Sequence, residues 1–465
     1  MNKIFRRCLF SILVMGMVAC NEDGGMADNG LHERDATSSY LWVGPNATNV
    51  RNVAGELDVV VSTNRVWTVV SQVEWISLSK VQGTGDAILK LEYGENPEND
   101  KREGTVTFSI EGVEPIVMTV VQTDTYFTNP LGDIPDPWIT KYQNAYYLCK
   151  AQGDNQVNIS SSTKLTLLSG TTTVWRAPSD AGAVKPWNVS HLWAPELHYI
   201  EGSWYIYYTA GRPHAELNRY NQRSGVLRSK TTDPFGQWED MGMLYTGDSY
   251  SEGIVPTVEN TYSGIDLTTV MIDGQRYAVW SGTPTEADAD QAIYIARMSN
   301  PYTISSNRVR ITTADQPWEL FTRGIQEGPA ILKRGSKTFI VYSCNGSWTK
   351  YYRLGYIVLE NPSLDPMVVG NWKKSANQVF YRCDDTLPGV TGVDGVNGVG
   401  HCSFTTSPDG TEDWIVYHVK KRNDATYESG RSTFVQRFTW NADDTPNFGY
   451  PVGWGELVPV PSGQK

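Results

Sequence analysis

From about residue 37 to 124 the chain alternates apolar and polar residues in short runs, ELDVVVST, RVWTVVSQ, EWISLSK, AILKLEYG, GTVTFSI and PIVMTVVQ, separated by Gly, Asn, Pro and Glu turns. A period of two over such short runs predicts half-buried strands, and the regular spacing of turns predicts a small β-sandwich. Beyond Tyr126 a longer frame takes over: a short strand, a polar turn, then an aromatic-rich strand. It recurs five times, as DPWITKYQNAYYLCKA from Asp136, APELHYIEGSWYIYYTA from Ala194, DLTTVMIDGQRYAVWSG from Asp266, EGPAILKRGSKTFIVYS from Glu327 and HCSFTTSPDGTEDWIVYH from His401. Repeats of this length predict a five-bladed β-propeller in which the innermost strand of each blade begins at one mouth of a central channel. The expected fold class is therefore all-β, an immunoglobulin-like β-sandwich followed by the propeller.

Aligning the five frames on their turns brings carboxylates into view. Asp136 lies eight residues before Asn144, Asp266 eight before Gly274 and Glu327 eight before Gly335, so three frames are expected to place an acid at one equivalent position. The second frame has Ala194 there, with Glu196 two residues on along the same strand face. The fifth, offset by its longer turn, puts His401 or Cys402 at the mouth. Like charges crowded around one axis and partly buried have their pKa values driven apart, which is what acid/base catalysis requires.

Composition narrows the partner. The formal net charge of -12 argues against a nucleic acid, whose phosphates are bound by clustered Lys and Arg. The 16 Trp and 25 Tyr supply rings that fill β cores or stack on sugars. Paired carboxylates in an aromatic, exported β protein point to glycoside hydrolysis.

The chain start reads as an address. Lys3, Arg6 and Arg7 precede an apolar run from Leu9 to Val18, and Met17-Val18-Ala19-Cys20 resembles the lipobox of bacterial lipoproteins. That resemblance implies a signal peptide over residues 1–20, lipidation of Cys20, and anchoring to the outer membrane at the cell surface or periplasmic face. Residues 21–36 suit a flexible tether. Cys149, Cys344, Cys383 and Cys402 have no metal-binding spacing, and the sequence leaves their disulfide state open.

Residues 37–124 resemble the BACON module through Trp67, EWISLS with Trp75, NPENDKREG and a closing VVQTD. Packing is the expected role of both tryptophans, and spacing that of the module. Residues 125–465 resemble glycoside hydrolase family 43. The motifs are DPW at Asp136, WAPELH at Trp193, SGID at Asp266, QEGPAIL at Glu327, SCNGSWT, GHCSF, SPDGTEDWIVYH, GRSTFVQRFTWNADDTPNFG and GYPVGWG.

The family resemblance implies Asp136 as general base, Asp266 as the residue that orients the acid and tunes its pKa, and Glu327 as general acid. It also implies Arg431 as a sugar-hydroxyl ligand and His401 as a neighbour of a central-channel calcium or water cluster. Trp138, Trp193 and Trp348 are candidate pocket walls, Glu196 and Ser281 candidate supports, and Arg437 a structural residue. His191, His198, His214 and His418 have no comparable support. The motif set is most similar to exo-acting α-L-arabinofuranosidases acting on plant cell-wall arabinan or arabinoxylan, with no cofactor required for the chemistry. Phe434 departs from a second arginine common in related sequences. The alternatives are a β-xylosidase or endo-arabinanase on the same scaffold, or a catalytically silent propeller that binds surface glycans.

Overall fold

The computed structural model describes residues 39–45, 47–97, 101–168, 170–212, 222–285, 290–384, 395–421 and 430–464. Cys20 and His214 lie outside them. Strands and loops make up nearly all of the described chain, and no described helix is long and apolar enough to cross a membrane.

Up to residue 122 two sheets enclose one core. One orders its strands Leu41–Gly44, Gly55–Thr63, Ala87–Tyr93 and Ile76–Leu78; the other orders Ala47–Val50, Val113–Gln122, Arg102–Ile110, Val66–Ser71 and Gln82–Thr84. The alternation in the sequence becomes alternation of burial: Val59 and Val61 on one sheet, and Trp67, Val69, Val106 and Phe108 on the other, are sealed in a single cluster. Trp67 is fully buried, and its indole N–H donates to the Gly85 carbonyl at 3.0 Å. Trp75 is half-buried, with the Arg102 guanidinium 4.4 Å from its ring centre. Leu41–Gly44, Ala47–Val50 and Gln82–Thr84 are strands that the sequence pattern missed, because three or four residues are too few to display a period.

Five antiparallel sheets follow, beginning with the strands Trp138–Tyr142, Ser190–Ile200, Gly264–Ile272, Gln326–Arg334 and Val396–Thr406. Each of these first strands lies beside the next, and the fifth lies beside the first, so they form a closed ring. In the second to fifth sheets the second strand is covered on both faces: Ser203–Gly211 is buried from Trp204 onward, which is why it reads as a largely aromatic and apolar run.

Closure uses the chain ends of this region. Tyr126–Thr128 pairs antiparallel with Leu457–Pro459. The Asn129 amide donates to the Val435 carbonyl at 3.0 Å and its oxygen accepts from the Val435 N–H at 2.9 Å. Gly132 bridges Thr433. These contacts carry the segment before Asp136 along the strand Arg431–Trp440, placing residues more than 300 positions apart side by side. Tyr126 also accepts from the Asn49 side chain at 2.7 Å, a contact between the two regions.

Trp67→Ala removes the largest side chain of the first core. It should cost about 3–5 kcal/mol and appear in denaturant unfolding of the full chain as an earlier transition for residues 39–122, with the later transition of the five-sheet region unmoved.

Candidate active site

One backbone device recurs around the ring. The ladder between first and second strands passes from Trp193↔Thr209 to Glu196↔Tyr207, from Ile265↔Ser281 to Thr268↔Val279, from Glu327↔Ser343 to Ala330↔Val341, and from Gly400↔His418 to Ser403↔Val416. Two residues drop out of pairing each time: Ala194-Pro195, Asp266-Leu267, Gly328-Pro329 and His401-Cys402. In the first sheet Asp136-Pro137 stand just ahead of the strand. The leading residue of each pair has a left-handed backbone, with φ of 48° at Asp136, 41° at Ala194, 54° at Asp266, 57° at Gly328 and 46° at His401. Such a bulge bends the strand and re-aims its side chains, at roughly 1–2 kcal/mol for a non-glycine residue.

This geometry corrects the alignment of the frames. The tight turns are Gln143-Asn144, Glu201-Gly202, Asp273-Gly274 and Gly335-Ser336, as the flanking pairs Tyr142↔Ala145, Ile200↔Ser203, Ile272↔Gln275 and Arg334↔Lys337 require. Gly335 is thus a first turn residue, whereas Asn144 and Gly274 are second ones. Counted from the true turns, the position equivalent to Asp136 and Asp266 is Gly328. Glu327 lies one residue earlier and is paired with Ser343, and in a strand a one-residue offset sends a side chain to the other face. A side chain at Gly328 would also crowd His401, since its Cβ would sit 3.0 Å from the imidazole Cγ.

Side chains from the second strands brace the next sheet's bulge. The Thr209 hydroxyl accepts from the Asp266 N–H at 3.1 Å, and Ser343 from that of His401 at 2.7 Å. Ser281 donates to the Gln326 carbonyl at 2.7 Å. At the ring closure His418 takes this place, its Nδ1 accepting from the Asp136 N–H at 3.2 Å.

Asp136 collects the positive charge. Its Oδ1 lies 2.5 Å from Arg431 Nη1, 3.1 Å from His401 Nδ1 and 3.3 Å from His418 Nδ1. Burial by itself pushes the Asp136 carboxyl up, but Arg431 and His401 together outweigh it and hold the group well below the usual range. Burial opposes the charge on His401 too, yet Asp136 and Asp266 raise it to about 9, so it is an imidazolium at neutral pH. Burial pushes His418 down to about 3. His418 is therefore neutral, as an Nδ1 that accepts an amide hydrogen must be, and its approach to Oδ1 is no ion pair.

The other carboxyls are pushed the opposite way. Asp266 is raised by burial, partly restored by His401, and raised again by the charge on Asp136. Its Oδ2 accepts from the Gly328 N–H at 3.0 Å, which ties it to the backbone beside Glu327. Burial and the Asp266 charge lift Glu327 to about 7, against the pull of His401 and of Tyr352, whose hydroxyl donates to Oε1 at 2.9 Å. Tyr352 stacks on His418 with ring centres 5.5 Å apart.

Behind Asp266, Glu196 Oε2 meets His198 Nε2 at 2.9 Å. Burial raises Glu196 well above its usual range and lowers His198 to about 3, so this contact is a neutral hydrogen bond despite its ion-pair distance. The Trp138 indole N–H donates to the Leu197 carbonyl at 2.9 Å and its ring lies 4.9 Å from that of His198. Trp193 and Trp348 are partly exposed, Trp193 edge-on to His191 and Trp348 beneath Arg323. Arg437 pairs with Glu412 at 3.3 Å, away from these groups. Cys149, Cys344, Cys383 and Cys402 are buried thiols, none of them in a disulfide.

Sequence reasoning passed over His418, Tyr352 and Thr209. His418 and Thr209 lie in frames already singled out, where a buried polar residue in an otherwise apolar second strand was the available signal; Tyr352 lies just beyond SCNGSWT, outside every frame and motif. His401, expected beside a central-channel ion or water cluster, is engaged by Asp136 at 3.1 Å, and no group of three metal-binding His, Cys, Asp or Glu side chains exists among the described residues.

Residues 127–446 match the model for glycosyl hydrolases family 43, and the chain belongs to that family. Residues 39–125 match the viral BACON domain model. The chain is 33% identical over 346 residues to an extracellular exo-alpha-(1->5)-L-arabinofuranosidase of Streptomyces avermitilis, covering 72% of this chain and 65% of that protein. It is 31% identical to one of Streptomyces chartreusis, covering 63% of this chain and 83% of that one. The first of these relatives is thus spanned over less than two thirds of its length. Among solved structures, the alpha-L-arabinofuranosidase from Lactobacillus brevis superposes with a TM-score of 0.61 at 30% identity, over 70% of this chain and 97% of that one.

If Glu327 must carry a proton, kcat/KM should fall about tenfold per pH unit above about 7, while Asp136 stays ionised well into acid. The Tyr352 hydroxyl favours the charged form of Glu327, so Tyr352→Phe should raise that pKa and move the alkaline limb to higher pH. A pH–rate profile on a small glycoside measures both; a limb that stays put in Tyr352→Phe refutes the coupling.

Proposed function

We propose that this chain is an inverting exo-α-L-arabinofuranosidase that releases L-arabinofuranose from arabinan or arabinoxylan-type polysaccharide. The five sheets are read as the five blades of a β-propeller, and residues 37–124 as an immunoglobulin-like module that spaces it from a lipid anchor on Cys20. The observation that carries the reading is the split between two carboxyls at the same end of the ring: Asp136, held anionic by Arg431 and His401, and Glu327, lifted to about 7. The relatives named above point to the arabinofuranoside.

Inversion needs a base on one sugar face and an acid on the other. Asp136 takes a proton from water as that water attacks the anomeric carbon, and Glu327 gives its proton to the departing oxygen. Asp266 raises the acid's pKa through its charge and steadies the adjacent backbone through Gly328. Arg431 and His401 keep Asp136 from sharing its charge with a proton. Trp193 and Trp348 are proposed to border the sugar pocket. A silent glycan binder has no use for carboxyls separated in this way.

General acid catalysis is worth about 10²–10⁴ in rate, and its worth depends on the leaving group. Glu327→Ala should nearly abolish release of arabinose from natural arabinosides yet spare much of the activity on a dinitrophenyl arabinoside, whose leaving group needs no proton. Asp136→Ala should damage both alike. Proton NMR of the first product should show the inverted anomer; retention, or identical leaving-group profiles for the two variants, would falsify the assignment. Product analysis on linear arabinan separates exo from endo action, and an aryl β-xyloside tests the xylosidase alternative.

A further inference from the structure

The rim beside Glu327 exposes apolar side chains, of which only Trp348 has a place in the chemistry described so far. Phe321 is 53% exposed, Leu320 47% and Trp348 38%. Phe321 lies stacked with Tyr351, ring centres 5.1 Å apart and planes 11° apart. These side chains come from two loops of the fourth sheet. One precedes the strand that carries Glu327 and the other follows the strand Lys337–Cys344, so both open at the acid's end of the ring. The loops are laced together, with the Thr322 N–H donating to Asn345 Oδ1 at 3.2 Å and the Gly346 N–H to the Thr322 hydroxyl at 3.0 Å.

The support under the rings is unusually rigid for an exposed patch. Arg353, 3% exposed, donates from Nε to the Tyr351 carbonyl at 2.7 Å and from Nη1 to Gln378 Oε1 at 2.5 Å. Its guanidinium lies 4.5 Å from the ring centre of Phe321 and 4.0 Å from that of Tyr381. Burying a guanidinium is costly, and here it fixes rings that remain open to water. Rings immobilised in advance lose little freedom when something lies on them.

The position relative to the acid says what that is. Tyr351 directly precedes Tyr352, whose hydroxyl donates to Glu327. A general acid protonates the oxygen that departs with the rest of the substrate, so whatever lies beyond the cleaved bond leaves on the Glu327 side. We propose that Leu320, Phe321, Trp348 and Tyr351 form a leaving-group subsite that takes the apolar C–H surface of a neutral pentose chain, arabinan or xylan. This rests on the reading of Glu327 as the proton donor. Neutral sugars present such surfaces, and aromatic rings bind them without needing charge.

The test uses the full chain arrested by Glu327→Gln, with and without Phe321→Ala, titrated calorimetrically with linear arabino-oligosaccharides and, separately, arabinosylated xylo-oligosaccharides. Loss of Phe321 should weaken oligosaccharide binding about five- to tenfold, leave binding of free L-arabinose unchanged, and be reversed in Phe321→Trp. The arm that shows the effect identifies the chain. With Glu327 intact, Phe321→Ala should keep kcat/KM on methyl α-L-arabinofuranoside and lose it on the oligosaccharide. Oligosaccharide affinity unchanged in both arms overturns the subsite. Absence of any arabinoside hydrolysis by the unmodified protein would instead overturn the proposed function, while the binding comparison still decides the ledge.

Discussion

Charge balance at the head of the ring governs this structure. Asp136, Asp266 and Glu327 are brought to one mouth where burial penalises each negative charge, and the cations facing them there are Arg431 and His401. Three carboxylates against two cations cannot all ionise cheaply. Asp136, in direct contact with both cations, keeps its charge. The group that takes up a proton most readily is Glu327, which neither cation touches and which the charge of Asp266 disfavours as an anion. The carboxyls are therefore differentiated by which of them lies against Arg431 and His401, and the proposed division into acid and base follows that difference.

The same ring explains how such crowding is tolerated. A left-handed residue at or just ahead of the head of each inner strand re-aims the chain there, and at Asp136, Asp266 and His401 a hydroxyl or imidazole from the preceding sheet's second strand accepts that residue's N–H. The strain at Asp136, Asp266 and His401 is held by packing on both sides. Gly328 is where the device would collide with His401, and there a residue without a Cβ lets Glu327 reach the mouth from one position earlier. Neutral hydrogen-bonded groups behind the carboxyls, Glu196 with His198, add polarity without charge.

Much of this was legible along the chain. Alternating runs marked the strands of both regions, and the repeated strand, turn, aromatic strand frame marked the sheets that follow Tyr126. Asp136, Asp266 and Glu327 stood out because an acid at the head of an apolar strand is unfavourable without a purpose. Strands of three or four residues escaped, because alternation needs length to be visible. The alignment of Glu327 with the aspartates failed by one residue, since Gly335-Ser336 and Asp273-Gly274 both read as turns with glycine, and only hydrogen-bonded pairing distinguishes the first turn position from the second.

By itself, then, the sequence determined the all-β class, the repeating frame and the presence of carboxyls at the heads of its strands, because period and residue type are local properties. Which acid is anionic and which protonated was decided only by tertiary structure. Arg431 meets Asp136 because Tyr126–Thr128 pairs with Leu457–Pro459 and closes the ring. His418, a buried histidine to which its motif assigned no role, becomes the acceptor for Asp136 by the same closure. Protonation depends on the distance to charges hundreds of residues away and on the exclusion of water, and neither exists until the chain is folded.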